Sequence, residues 1–242
     1  MIELFASTSP NVTKVILMLE ETGLDYKITP VDVHRGEQYG QVFQALNPNG
    51  KVPVIADHDA AGGATMTIFE SGAILMYLAE KTGHLLTVEP MERYQVVQWL
   101  MIQMAGVGPN FGQFNHFVRY AAKEQYSVDR FTSEVRRLYD LLDARLGEAR
   151  FLGGYAYSIA DVATVPWIRV QAKLFGATHR VLNFGWPEHP HLRRWFEAIL
   201  ERPAAKRAFS ISENLPSHQH EATQEERDRY FARGQYAQTL DR

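Results

Sequence analysis

Apolar positions in the first third of the chain follow two periods in turn, short alternating runs and helical stripes. Ile2 to Ala6 reads as a strand, and Val12 to Thr22 as a helix closed by Gly23, where a left-handed residue favours a helix end. Ile28 to Val33 predicts a second strand, with Pro30 marking an edge or an irregular start. Glu37 to Leu46 suits a short helix before the turn-forming Asn47-Pro48-Asn49-Gly50. Val52 to Ala56 and the alternating Thr65 to Phe69, parted by Gly62-Gly63, predict a pair of strands. Ser71 to Lys81 is an apolar helix stopped by Gly83. The order β-α-β-α-β-β-α is that of a thioredoxin-like α+β fold.

Beyond Pro90 the strand signal disappears. Phe131, Val135, Leu138 and Leu142 repeat at helical spacing, with Leu146 near the stripe and Gly147 as a stop. Ser158, three residues before Asp161, resembles a capping box with Asp in place of Glu or Gln. Leu192, Phe196 and Ile199 form a further stripe ended by Pro203. The pattern divides the chain into a thioredoxin-like domain at 1–83, a linker at 84–90, an all-helical domain at 91–215 and a polar tail at 216–242. The tail offers only Tyr230, Phe231 and Tyr236 as anchors, so it is expected to be mobile unless those rings dock.

Composition narrows the function. With 242 residues, 45% of them hydrophobic, the chain can bury a real core. A net charge of -3 offers no basic excess to neutralise phosphates, which argues against nucleic acid as a partner. No apolar run is long enough to cross a bilayer, and the N-terminus enters a strand without an export signal. A cytoplasmic enzyme is expected. There is no cysteine, so any thiol chemistry must use a thiol brought by a ligand.

The segment Gly50-Lys51-Val52-Pro53-Val54-Ile55 carries most of the chemistry, together with Phe69-Glu70-Ser71-Gly72. A proline at the head of a strand is uncommon. If the Val52–Pro53 bond is cis, it exposes the Val52 backbone to an extended peptide, which could add like a strand. Glu70-Ser71 stands where a strand meets a helix. Ser71 and the free amides there suit a carboxylate, and Glu70 suits an ammonium group. Glutathione presents that zwitterion beside a peptide backbone. Taken singly, Ser71 could be only a cap and Glu70 only a surface charge; their joint placement favours the ligand. The pairs His189/His191 and His218/His220 lack metal-site spacing, and no metal is expected.

Residues 1–212 resemble the glutathione transferase superfamily. The turn Ser9-Pro10-Asn11-Val12-Thr13-Lys14-Val15 narrows this, being similar to the Thr-Pro-Asn-x-x-Lys turn of the bacterial Nu-class glutathione-dependent disulfide-bond oxidoreductases. Ser9 in place of that threonine keeps the hydroxyl. Phe69 to Leu75, Tyr157 to Asp161 and Gly106-Val107-Gly108-Pro109 fit the same group. The resemblance implies the glutathione transferase fold, a two-fold homodimer, and glutathione as co-substrate for a small disulfide or electrophile. It implies Asn11 and Ser9 as catalytic residues, and Gln38, Lys51, Val52, Pro53, Glu70, Ser71 and Arg130 as glutathione-binding ones. Disulfide reduction leads. Conjugation, peroxide reduction, aryl-ether cleavage and a non-catalytic regulatory role are the alternatives.

Overall fold

A computed structural model of the chain describes residues 1–175 and 186–238. Its first part is a four-stranded sheet in the order β2-β1-β3-β4, built from β1 (Ile2–Ala6), β2 (Tyr26–Pro30), β3 (Val54–Asp57) and β4 (Met66–Phe69). β1 runs parallel to β2 and antiparallel to β3, which is itself antiparallel to β4. The expected order of elements holds, with shifted bounds. β2 begins at Tyr26, because pairing with β1 sets Ile2 opposite Tyr26 and Ala6 opposite Pro30. Pro30 therefore ends the strand. β3 begins at Val54, just after the Val52–Pro53 bond, which is cis.

Between strands lie α1 (Pro10–Thr22), a short 3₁₀ turn (Glu37–Tyr39) and α2 (Gln41–Leu46), followed after β4 by α3 (Ser71–Thr82). Gly40 splits the single helix expected over residues 37–46, because its extended backbone (φ −68°, ψ 147°) cannot continue a helical turn. Gly23 and Gly83 take left-handed conformations at the ends of α1 and α3.

The rest of the described chain is helical: α4 (Pro90–Ile102), a π-helical turn (Gln103–Val107), α5 (Gly108–Tyr120), α6 (Gln125–Glu148), α7 (Ile159–Phe175), α8 (Pro190–Leu200), α9 (Pro203–Glu213) and α10 (Gln224–Tyr230). Gly147 does not stop α6, which runs one residue past it.

α1 is the keystone. Every side chain from Val12 to Leu19 is buried, because the helix touches α3 on one side and α7 and α9 on the other. A helix buried all round needs an apolar sequence. Thr13 and Lys14 are the exceptions within it, and only Lys14 carries a charge.

Asp161 is fully buried at the start of α7 and accepts from Leu152 N, Ser158 N, Ser158 Oγ and Trp195 Nε1, all within 3.0 Å. Its bond from Ser158 N is half of the expected capping box. The Ser158 hydroxyl, however, donates to the carboxylate and does not accept from a helix amide. Burial pushes the Asp161 carboxyl up against four donors that hold it down. Asp161 ties the 152–158 loop to α7 and α8, a structural role.

Candidate glutathione-binding site

The start of α1 forms the floor of the site. Ser9 is extended (φ −159°, ψ 143°) and its Oγ accepts from Asn11 N at 3.2 Å, with Pro10 in the first helical position. Asn11 lies in the first turn, and its Oδ1 accepts from the indole Nε1 of Trp167 on α7 at 3.1 Å. Nothing in the local sequence signals that contact, which spans 156 positions.

Above this floor opens a cavity of about 640 Å³, lined by Ser9, Asn11, Gln38, Lys51, Val52 and His116 among others. A small recess of about 60 Å³ shares Asn11, Lys51 and Val52 with it and adds Pro53, Glu70, Ser71 and Met104. Eight of the nine residues singled out from the sequence thus line either this cavity or the recess that shares three residues with it. Arg130 does not. It is exposed on α6 and lines neither the cavity nor the recess.

Glu70 has φ 68° and ψ 114°, a backbone conformation that costs a non-glycine residue about 1–3 kcal/mol. Such strain persists where the surroundings over-determine it. Here the turn from β4 into α3 holds Glu70 exposed, with Oε1 accepting from Asn49 Nδ2 at 3.2 Å. Ser71, next to it, is buried in the first turn of α3. Gly72 brings α3 close to the π-helical turn, where a Cβ would stand 3.0 Å from Met104 Cγ.

Beneath Ser71 lies an ammonium group. Lys14 is 1% exposed, and its Nζ donates to Ser71 Oγ (3.3 Å), Gln103 Oε1 (2.7 Å) and Met104 Sδ (3.5 Å). Burial drives its pKa down from 10.5 to about 7, opposed by the charge of Glu70. The π-helical turn delivers Gln103 and Met104 to it. π bulges often mark functional sites for this reason, since they re-aim side chains a regular helix would turn elsewhere.

Gln38 is buried on the other wall, its Nε2 donating to Val33 O at 3.0 Å. The tail also reaches the cavity. Ser217 Oγ accepts from Thr8 Oγ1 at 3.1 Å, and His218 Nδ1 is 2.5 Å from Asp32 Oδ2. Thr223 and Glu226 form a capping box for α10, which carries Tyr230 against His34 (ring centroids 4.8 Å). Phe231 packs on His116 and Tyr120 of α5, and Tyr230, Phe231 and Ala232 line the cavity. Two of the three aromatic anchors, Tyr230 and Phe231, dock on the body, whereas Tyr236 bonds to Glu225 and Arg229 of the tail itself; residues 239–242 lie outside the described residues.

A strand–turn–helix site of this form behind a mixed four-stranded sheet, with helices following, has a family. The model of the glutathione S-transferase N-terminal domain matches residues 8–81, and that of the C-terminal domain matches 97–203. The chain belongs to the glutathione S-transferase family. Among its relatives, the disulfide-bond oxidoreductase YfcG of Escherichia coli is 42% identical over 212 residues, covering 86% of this chain and 94% of that protein. The disulfide-bond oxidoreductase YghU of the same organism is 37% identical, covering 87% and 75%. Among solved structures, a glutathione transferase from Pseudomonas putida with one glutathione disulfide bound per subunit has a TM-score of 0.81 at 39% identity, covering 87% of this chain and 91% of that one. A family member from Pseudomonas fluorescens with two glutathiones bound has a TM-score of 0.80 at 40% identity, covering 86% and 91%. No helix among the described residues is long and apolar enough to cross a membrane.

Proposed function

We propose that the protein is a glutathione-dependent disulfide reductase that works with the thiols of bound glutathione and no cysteine of its own. The observation that carries this reading is Asn11, fixed at the N-terminus of α1 on the floor of a peptide-sized cavity in a chain without cysteine. The γ-glutamyl end of glutathione suits the recess, its ammonium beside Glu70 and its carboxylate on Ser71 and the first amides of α3. The cysteinyl backbone runs along Val52 and Pro53, and the glycyl end reaches Gln38 and Lys51. The thiol then meets Ser9 and Asn11, where the helix N-terminus and the Asn11 amide favour thiolate.

Turnover follows from thiol–disulfide exchange. The bound thiolate attacks one sulfur of the substrate disulfide; the S–S bond breaks and the departing sulfur takes a proton. A second glutathione thiolate attacks the glutathione sulfur of the mixed disulfide and releases the second substrate thiol. Two glutathiones are oxidised to one glutathione disulfide, and one disulfide is reduced to two thiols. The reaction suits the cytoplasm, where reduced glutathione is maintained.

Steady-state reduction of a small disulfide by glutathione, run beside conjugation of a chlorinated aromatic, tests the assignment. We expect reduction well above the uncatalysed rate, falling about tenfold or more in Asn11→Ala with glutathione affinity nearly intact. No wild-type reduction would sink the reductase, and conjugation alone would replace it.

We also read the protein as a two-fold homodimer. Phe69 and Met66 on β4 and Met91, Tyr94 and Met101 on α4 are exposed apolar side chains that a partner could cover. Light scattering at micromolar concentration should give twice the chain mass of 27.6 kDa, and a monomer alone would reject the dimer.

The tail supplies the outer wall for the second substrate. Aromatic pairs contribute about 0.5–1.5 kcal/mol each; ending the chain after Leu215 removes Tyr230 and Phe231 from the cavity lining and widens its mouth. The rate with a glutathionylated protein, relative to a small disulfide, should rise about tenfold. An unchanged ratio would take the tail out of substrate selection.

A further inference from the structure

The carboxamide of Asn11 can turn either of two faces to a bound sulfur, and they act in opposite directions. Its N–H groups stabilise a thiolate by donation, whereas its oxygen repels one. The two faces have nearly the same shape, so the neighbour decides which is presented. That neighbour is Trp167 of α7, whose Nε1 lies 3.1 Å from Asn11 Oδ1. An indole N–H donates and cannot accept. The amide oxygen must therefore face Trp167, which turns Nδ2 away from it.

Trp167 is itself held. Its ring is 8% exposed and stands against the glycines of α5, where a Cβ at Gly112 would lie 3.6 Å from Cη2 and one at Gly108 3.7 Å from Cε2. A Cβ at either glycine would reach the ring only in ordinary van der Waals contact.

We propose that Trp167 is a positioning residue for the reaction: it locks the Asn11 amide so that Nδ2, and not Oδ1, meets the glutathione sulfur, and the helical part of the chain thereby sets the thiolate state of a ligand anchored on the other part. The inference rests on the assignment of the thiol to Asn11. Tyr39, Lys51, His116 and Tyr230 line the cavity, Glu70 lines the recess and Lys14 lies under Ser71. Asn11 and Trp167 are uncharged, so exchanging them for uncharged residues leaves all these charges in place.

Trp167→Phe keeps a ring and deletes the donor. The thiol pKa of bound glutathione, followed by the ultraviolet absorbance of the thiolate, should rise by about one pKa unit in this variant. Turnover at neutral pH should drop about tenfold, while glutathione affinity stays within about twofold of wild type. Combined with Asn11→Ala, Trp167→Phe should add nothing further. Asn11→Asp probes the same polarity without touching the core: its carboxylate accepts from Trp167 and turns negative charge to the sulfur, so the thiol pKa should exceed that of Asn11→Ala. A thiol pKa unmoved by Trp167→Phe overturns the proposal, as does a full further loss of turnover on top of Asn11→Ala. An Asn11→Asp thiol pKa at or below that of Asn11→Ala overturns it even if Trp167→Phe fails to fold. A wild-type complex whose thiol pKa equals that of free glutathione overturns the thiol assignment and this inference together. A lowered wild-type value that ignores Trp167 removes Trp167 alone.

Discussion

Glu70→Ala should weaken glutathione binding by about 1–3 kcal/mol, roughly 5- to 150-fold, with little change in thermal unfolding. Its side chain is exposed and, among the described residues, hydrogen-bonded only to Asn49 Nδ2, so the fold loses almost nothing with it. The ligand loses more, since its ammonium is left without a countercharge beside a partly desolvated recess. Ser71→Ala should weaken binding over the same range but is a less clean variant. Ser71 Oγ is one of three acceptors around the buried ammonium of Lys14, and removing it leaves that group with fewer partners. Stability is therefore expected to fall as well. Calorimetry with glutathione beside thermal unfolding separates the two effects. Unaltered affinity in both variants would mean that the anchor lies elsewhere.

The contrast between Glu70 and Ser71 shows what the sequence carried and what it did not. Strand and helix order was legible because alternation and 3.6-residue stripes are local, and Gly23 and Gly83 cap their helices as read. The Val52-Pro53 and Glu70-Ser71 pairs stand at strand ends as the pattern predicts, lining the recess together. Bounds shifted where pairing or a single backbone angle decided them, as at β2 and Gly40. Contacts between distant positions were not legible. Lys14 meets Gln103 across 89 positions, and Trp167 meets Asn11 across 156. No periodicity encodes either. One signal was present and unread: a lysine in the middle of the apolar run Val12 to Leu19 has no solvent face to occupy, so it must be buried and must have partners. The docking of the tail was posed by Tyr230 and Phe231 but could be decided only by His34, His116 and Tyr120, which the fold alone brings to meet them.

Lys14→Met should flatten the pH dependence of both stability and glutathione affinity. In the folded protein burial holds the Lys14 ammonium near pKa 7, while in the unfolded chain it keeps its ordinary value of 10.5. Below pH 7 the residue is charged in both states and the fold bears the full cost of burying it. Between pH 7 and 10.5 the unfolded chain binds the extra proton, so stability rises with pH. The whole difference is on the order of 5 kcal/mol. His34 and His116, lowered by burial, titrate below this window. Tyr26 and Tyr139, raised by burial, begin to matter only as pH approaches the ordinary phenol range near 10. Urea unfolding between pH 7 and 9 should therefore show wild type gaining stability, and Lys14→Met should lose most of that slope. Its absolute stability is set by two opposing changes, because the buried charge is gone but Gln103 Oε1 loses its donor. The slope is the sharper measure. Glutathione binding follows the same proton. A carboxylate on Ser71 favours the charged form of Lys14, and a charged Lys14 can only donate to Ser71 Oγ, which leaves the Ser71 hydrogen, directed at the weak acceptor Met104 Sδ 3.7 Å away, able to turn to the ligand carboxylate instead. A neutral amine can accept that hydrogen and draw it inward. Wild-type affinity should then fall severalfold from pH 6.5 to 8.5, and that of Lys14→Met should fall much less. Parallel affinity profiles for the two proteins would uncouple Lys14 from the ligand and leave it a buried charge of the core.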